Sequence, residues 1–183
     1  MDVTRTAERD LTDAQKQDLR RLQQAAFPAT EEFATQRWWH TPPARDEQWL
    51  AARRDGELIA SVRLLLRTIT TAAGDDLLVS GIGNVCSHPD ARSLGAAKAC
   101  MQAAERIIAV DADFGLLFTG RAVRTFYEGL GWHVVDNELI HRHPDGRDAP
   151  GHGGPDDFNL IYPGRCRLAD WPAGTIDLNG PDW

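Results

Sequence analysis

Cysteine is scarce in this chain of 183 residues: Cys86, Cys100 and Cys166 make an odd number, with no CxxC pair among them. That argues against a disulfide framework or a thiolate zinc site and makes a reducing cytoplasm the expected compartment. No apolar run approaches the length of a membrane span, and the opening MDVTRTAERD lacks the apolar core of a secretory leader. Positive charge is short as well, with 20 Lys and Arg against 27 Asp and Glu and a net charge of −7. Neither nucleic acid nor a membrane is therefore an expected partner. A cationic small molecule is favoured by long-range attraction, although the same acidity would serve solubility alone. No repeat and no linker interrupts the chain, so one domain over residues 1–183 is expected. Its length allows a core that needs neither metal nor disulfide.

What is present alternates between two periods. LTDAQKQDLRRLQQAAF reads as a helix, with Thr12 and Gln15 at capping-box spacing, a stripe of Leu11, Leu19, Leu22, Ala26 and Phe27, and Pro28 as its stop. TEEFATQRWWH reads as a shorter second helix ended by Pro42 and Pro43. QWLAARR and ELIASVRLLLRTIT flank an Asp55-Gly56 pair suited to a tight hairpin, and AAGDD leads into a third strand, LLVSGIGNVCS. Gly81 and Gly83 inside that strand suggest a bulge or a close backbone approach. A helix from about Ser93 follows, with Leu94, Ala97, Met101, Ala104 and Ile108 on one side. Then come the buried strand FGLLFTG, a helix stopped at Gly131, and the strand WHVVD. His141 to Asp157 reads as a loop, FNLIYP as a last strand, and the end of the chain as turns. Strand–helix–strand–helix–strand order puts parallel pairing near the middle of an α/β sheet.

The stretch HPDARSLGAAKACM carries the first chemical signal. The leading amides of a helix have no partner inside it and, with the helix dipole, favour a phosphate. Gly95, Ala96 and Ala97 would let one approach, and Arg92 adds a fixed positive charge. On its own the stretch equally fits a plain helix start whose small residues pack on the sheet. Two motifs in context go further. Arg92-Ser93-Leu94-Gly95-Ala96-Ala97, preceded by His88-Pro89, resembles the [Q/R]-x-x-G-x-[G/A] signature of the GCN5-related N-acetyltransferases (GNAT). Phe126-Tyr127-Glu128-Gly129-Leu130-Gly131-Trp132 is similar to that family's FYEKLGF. The resemblance covers roughly residues 1–140. It implies a mixed, mostly antiparallel sheet with parallel pairing at a splayed centre, flanked by helices.

The same resemblance implies acetyl-CoA as co-substrate, with no metal. The amides of Arg92, Ser93, Leu94, Gly95, Ala96 and Ala97 would hold the pyrophosphate, and the main chain of Val85, Cys86 and Ser87 would pair with the pantetheine arm. Tyr127 occupies the position the family uses to protonate the leaving thiolate, and a backbone N–H near Val85 or Cys86 would stabilise the oxyanion. Many relatives carry a Glu on the central strand as base; here Gly81, Gly83 and Asn84 stand there, and Glu31, Glu32, Asp46 and Asp182 are the carboxylates left to consider. Cys86 as an acyl-carrying nucleophile is the less favoured alternative to direct transfer in a ternary complex. His141, His143 and His152 lack the further spacing of a metal site. Arg121 and Arg124 are candidates for the 3′-phosphate of CoA or for an ordinary helix surface.

For the acceptor, Glu32, Trp38, Trp39, His40 and Trp49 combine acids with flat apolar faces, which suits an aminosugar by stacking and cation–π contact or else simple core packing. The tail DWPAGTIDLNGPDW resembles the end of the rhizobial nodulation N-acyltransferases, and DLLVSGIG their central strand. An Asp and Trp at the end are also a feature of the aminoglycoside 2′-N-acetyltransferases, where this end lines the drug site. By that resemblance residues 164–183, Asp182 and Trp183 above all, contribute to the acceptor site. The reading is acetylation of a 2′-amino group of an aminoglycoside, with kasugamycin and the resistance to it a specific case. Alternatives are N-acylation of an amino-sugar oligosaccharide with a longer acyl donor, and a CoA-binding module without catalysis. A homodimer is compatible with each.

Overall fold

The computed structural model describes residues 1–28, 45–142, 147–149, 156–181 and 183. In chain order it has β1 (Val3–Ala7), a 3₁₀ turn (Glu8–Asp10), α1 (Asp13–Ala26), β2 (Arg45–Arg54), β3 (Glu57–Thr71), β4 (Asp76–Ser87) and a 3₁₀ turn (Pro89–Ala91). There follow α2 (Ala96–Asp111), β5 (Phe114–Gly120), α3 (Arg121–Glu128), β6 (His133–Val135), β7 (Leu139–Arg142), β8 (Asp148–Ala149), β9 (Asp157–Pro163), a 3₁₀ turn (Leu168–Asp170) and β10 (Ile176–Asp177). These residues group into two compact units, Met1–Leu65 with Asn84–Ala104, and Leu66–Gly83 with Glu105–Trp183.

In the first unit α1 begins at the expected capping box. Thr12 Oγ1 accepts from Gln15 N–H at 3.2 Å, and Gln15 Oε1 accepts from Thr12 N–H at 2.9 Å. The helix buries Leu19, Leu22 and Gln23, and the two leucines pack with Leu11, Trp49, Leu58 and Cys86. β1 lies antiparallel to β2, from Val3 opposite Ala52 to Ala7 opposite Gln48. The β2–β3 hairpin turns on Asp55 and Gly56 at φ 51° and 88°. Both residues are left-handed, the backbone that a two-residue turn needs to match strand twist. Arg53 ties this turn to α1, donating to Gly56 O at 2.8 Å and to Asp18 Oδ2 at 2.7 Å. The helix expected over residues 30–40 lies outside the described residues.

In the second unit the strand order is β6-β9-β5-β4-β3-β10-β7-β8. β4 and β5 are parallel, Val79–Ile82 against Phe114–Leu117, as a helical crossover through α2 requires. β10 and β7 are also parallel, while β5 with β9, β6 with β9 and β10 with β3 are antiparallel. Ile69, Val79, Phe114, Leu116, Leu139, Ile161, Ile176 and Leu178 form the core. The expected mixed, mostly antiparallel α/β sheet is therefore present, with parallel pairing at its middle.

Three local expectations are corrected. FNLIYP is not the last strand, because Ile176–Asp177 inserts between β3 and β7. His141 is not in a loop; it sits on β7 and is buried. α2 starts at Ala96, not Ser93, which leaves Leu94 outside the helix and 46% exposed. The buried face of α2 is Ala96, Cys100, Met101, Ala104 and Ile108. The left-handed residue of β4 is Asn84, at φ 50°. Asn tolerates that region through its short polar side chain.

Candidate cofactor and acceptor sites

In the first unit the chain leaves β4 through His88, whose N–H donates to Ile59 O at 2.8 Å. His88 Nδ1 accepts from Asp90 N–H at 3.3 Å and starts the Pro89–Ala91 turn. Arg92 to Gly95 then form an exposed loop, with Ser93 at φ 67° and Gly95 at φ 77°. An ordinary helix start needs no such pair of left-handed residues. Two of the six amides expected to hold a phosphate are taken within this turn, Arg92 N–H by Pro89 O at 3.3 Å and Leu94 N–H by Ala91 O at 3.4 Å. The first backbone bond into α2 runs from Ala99 N–H to Gly95 O at 2.9 Å. Among the described residues the amides of Gly95, Ala96 and Ala97 donate to no backbone acceptor, and a Cβ on Gly95 would meet nothing within 4 Å. The cradle is open, donor-rich and at the positive end of a helix.

Upstream, the pairing of β4 with β5 covers Val79 to Ile82. Val85 and Ser87 are half-buried, while Cys86 is buried with its Sγ 3.4 Å from Ser61 Oγ. Burial pushes the Cys86 thiol up to about 11 and the Cys100 thiol up to about 12. Burial disfavours the thiolate that an acyl-carrying role for Cys86 would need. Trp49 is 1% exposed, part of the α1 core, and offers no face for stacking.

In the second unit Tyr127 is the buried residue of α3. Its carbonyl accepts from Leu130 N–H at 2.9 Å and Trp132 N–H at 3.1 Å, and Gly131 completes the reversal at φ 88°. Trp132 fills the space over Gly115, where a Cβ would come 2.8 Å from its ring, and donates to Glu105 Oε1 at 3.1 Å. The FYEGLGW stretch is thus a helix-to-strand turn that fixes the Tyr127 backbone. Arg121 pairs with Asp156 and Arg124 with Glu128, and both guanidinium groups lie over Phe158.

Trp183 lies on Gly81: a Cβ there would be 2.5 Å from the indole ring, and one on Gly83 would be 3.0 Å from the Trp183 carbonyl carbon. The two strand glycines are therefore the close approach expected of them, made to the tail. Phe118 packs at 5.1 Å between centroids, and the Arg67 guanidinium lies 5.2 Å from the ring centre. Arg67 also donates to the Pro181 carbonyl. Glu32, Trp38, Trp39, Asp182 and Glu31 are outside the described residues, as are the side chain of Asp46 and residues His143 and His152. Among the described residues no three His, Cys, Asp or Glu side chains gather to hold a metal ion. No helix among them is long and apolar enough to cross a membrane.

The family model "Acetyltransferase (GNAT) domain" matches residues 8–135. The chain belongs to the GNAT acetyltransferase family. The GNAT chain is an acyl- or acetyltransferase in class. It is similar to an acyl-CoA N-acyltransferase of Pseudomonas aeruginosa at 21% identity and TM-score 0.63, covering 87% of this chain and 97% of that one. It is also similar to the ribosomal-protein-S18-alanine N-acetyltransferase of Escherichia coli, at 14% identity and TM-score 0.59, with 94% and 100% covered. A third is an aminoglycoside 6′-N-acetyltransferase crystallised with coenzyme A, at 14% identity and TM-score 0.60, with 89% and 97% covered. No curated protein matches by sequence. At such identities the neighbours establish the fold of this GNAT chain and leave the acceptor open.

One cluster in the first unit was not singled out from the sequence. Arg63 Nη2 donates to Glu47 Oε1 at 2.6 Å, with both side chains buried, and Trp49 Nε1 donates to Glu8 Oε2 at 3.2 Å. Burial first, then a hydrogen bond to Glu47 and its negative charge, raise Glu8 to about 7. The available signal was Arg63 as a lone charge within the apolar run LIASVRLLL.

Proposed function

We propose that the protein transfers an acetyl group from acetyl-CoA to an amino group of a cationic aminosugar of the aminoglycoside class, directly and within a ternary complex. The observation that carries the donor is the open start of α2, where Ser93 and Gly95 are left-handed and, among the described residues, the amides of Gly95, Ala96 and Ala97 donate to no backbone acceptor. Such a helix start suits a diphosphate. In this reading the pantetheine arm pairs along Val85, Cys86 and Ser87, and Tyr127 protonates the departing thiolate. A buried, protonated Cys86 supports attack by the amine itself rather than an acyl-enzyme. The net charge, the seated Trp183 and a tail that resembles that of the aminoglycoside 2′-N-acetyltransferases support the acceptor. Glu32, Trp38, Trp39, Asp182 and Trp183 are its proposed contacts, the 2′-amine its proposed target, kasugamycin a proposed substrate, and drug resistance the proposed consequence.

The test is thiol release from acetyl-CoA over an aminoglycoside panel that includes kasugamycin, followed by mass spectrometry. One added acetyl group on an aminosugar is expected. Tyr127→Phe is expected to lower turnover at least tenfold with CoA affinity unchanged. Acetylation of a peptide N-terminus, with none on the panel, would overturn the acceptor.

A further inference from the structure

One face of the sheet in the second unit carries the core, and the alternate residues of its strands meet on the other face. Ile69, Ile176 and Leu178 belong to that core, and Trp183 packs against it. The register sets Asp177 of β10 between Thr70 of β3 and Ile140 of β7. All three therefore lie on the outer face, away from Trp183. Thr175 and Asn179 stand two residues to either side of Asp177 and share its face. With Thr71 these side chains line a cavity of about 340 Å³. That volume suits a small molecule, and the lining is polar where most ligand pockets are apolar.

The cavity is fixed from behind and from within. The chain that leads into β10 is clamped by Asn137, whose Nδ2 donates to Pro172 O at 3.0 Å and to Gly174 O at 2.7 Å. Trp171 Nε1 in turn donates to Asn137 Oδ1 at 2.7 Å. Gly174, at φ 87°, lets this chain close on the end of β3, where a Cβ would come 3.1 Å from that of Ala72. Inside the cavity Asn179 spends both hydrogens of its side-chain amide, on Thr68 O at 3.1 Å and on Thr70 Oγ1 at 3.0 Å. Thr70 donates its own hydrogen to Asp76 Oδ1 at 3.0 Å. Asp177 accepts from Asn179 N–H at 2.8 Å and from the Arg142 guanidinium.

We propose that this cavity binds a small amino sugar, at a site separate from the acetyl-transfer site and independent of that reading. The lining has used its amide donors and kept its acceptors. Asn179 Oδ1 and the remaining lone pairs of the Asp177 carboxylate are left over, and they call for a ligand rich in N–H and O–H donors. The hydroxyls of Thr71 and Thr175 can give or take. Thr71 Oγ1 already accepts from Asp75 N–H at 3.2 Å, while Thr175 is engaged by no described side chain. Two carboxylates, Asp177 and Asp76, stand here against the one guanidinium of Arg142, so the excess charge favours a cation. The Asp177 side chain is only 17% exposed, which limits solvent screening of an ammonium placed on it. Ile140 offers an apolar side to the C–H face of a sugar ring. Each part of an amino sugar thus meets a matching group: ammonium on carboxylate, hydroxyls on Asn179 and the threonines, ring on Ile140.

The experiment titrates the full chain, without acetyl-CoA, with glucosamine and with glucose, and follows the amide signals by ¹H–¹⁵N NMR. Glucosamine is expected to shift the backbone amides of Thr70, Thr175 and Asn179 and the side-chain amide of Asn179, saturating in the millimolar range. Glucose, which lacks the ammonium, is expected to bind at least fivefold more weakly. Thr175→Val keeps the shape of the side chain, removes its hydroxyl and should weaken glucosamine at least threefold. Asp177→Asn keeps an acceptor for Asn179 N–H, removes the charge and should bring glucosamine down to the affinity of glucose. Absence of saturable shifts at these amides overturns the proposal, as do shifts confined to Trp183 and Gly81. Equal binding of the two sugars, or full glucosamine affinity in both variants, overturns it as well. Because no turnover is read, failure of the acetyl-transfer reading leaves each of these outcomes decisive.

Discussion

Gly81 shows how one missing side chain places another residue. Its Cα is covered by the Trp183 indole so closely that a single methyl group would overlap the ring. Gly81→Ala is expected to unseat Trp183 and to cost about 1–3 kcal/mol of stability, as overpacking does. Because the loss comes from one contact, the Gly81→Ala/Trp183→Ala double variant should be no less stable than Trp183→Ala alone, as read from urea midpoints. Additive losses would mean that position 81 is constrained by something else. Cysteine reactivity is set at the same scale. Cys86 and Cys100 are buried with raised thiols, whereas Cys166 is half-buried. Native protein treated with iodoacetamide is expected to be modified at Cys166 first, the other two reacting only at the rate of unfolding.

At the scale of elements, α1 is held by its cap and by one cross-link to the β2–β3 turn. The capping box satisfies two amides that the helix itself cannot. Thr12→Ala should therefore cost about 1 kcal/mol, measured by urea unfolding. The Arg53–Asp18 pair is partly exposed, and its hydrogen bond is what chiefly holds the Asp18 carboxyl below its ordinary value. Its contribution is present above the ordinary Asp pKa and is lost as pH falls through the lowered one. Solvent screening limits that contribution to less than about 1 kcal/mol.

For the molecule as a whole, Glu8 gives stability a pH dependence of the opposite sign. Its folded-state value is raised from 4.5 to about 7, so between these the folded chain binds more protons than the unfolded chain. Stability must therefore fall as pH rises through that window, and the loss is complete above the folded value. Glu8→Gln cannot ionise and should escape this loss. Urea midpoints at pH 5 and pH 8 for both proteins check it, the expected result being a larger drop for the wild type.

The features legible in the sequence are those whose causes lie within a few residues of one another. The Thr12–Gln15 cap, the Asp55-Gly56 turn and the helix over the start of the FYEGLGW motif are of this kind, and each has its expected place. The family followed from the two motifs. Tertiary structure alone decided which residues meet at long range. It inserted β10 between β3 and β7, laid Trp183 on Gly81, and buried Glu8, Glu47 and Arg63 together. No local pattern reports such contacts, because a buried carboxyl and an exposed one are written with the same letter. Only burial and its neighbours raise the Glu8 carboxyl to about 7.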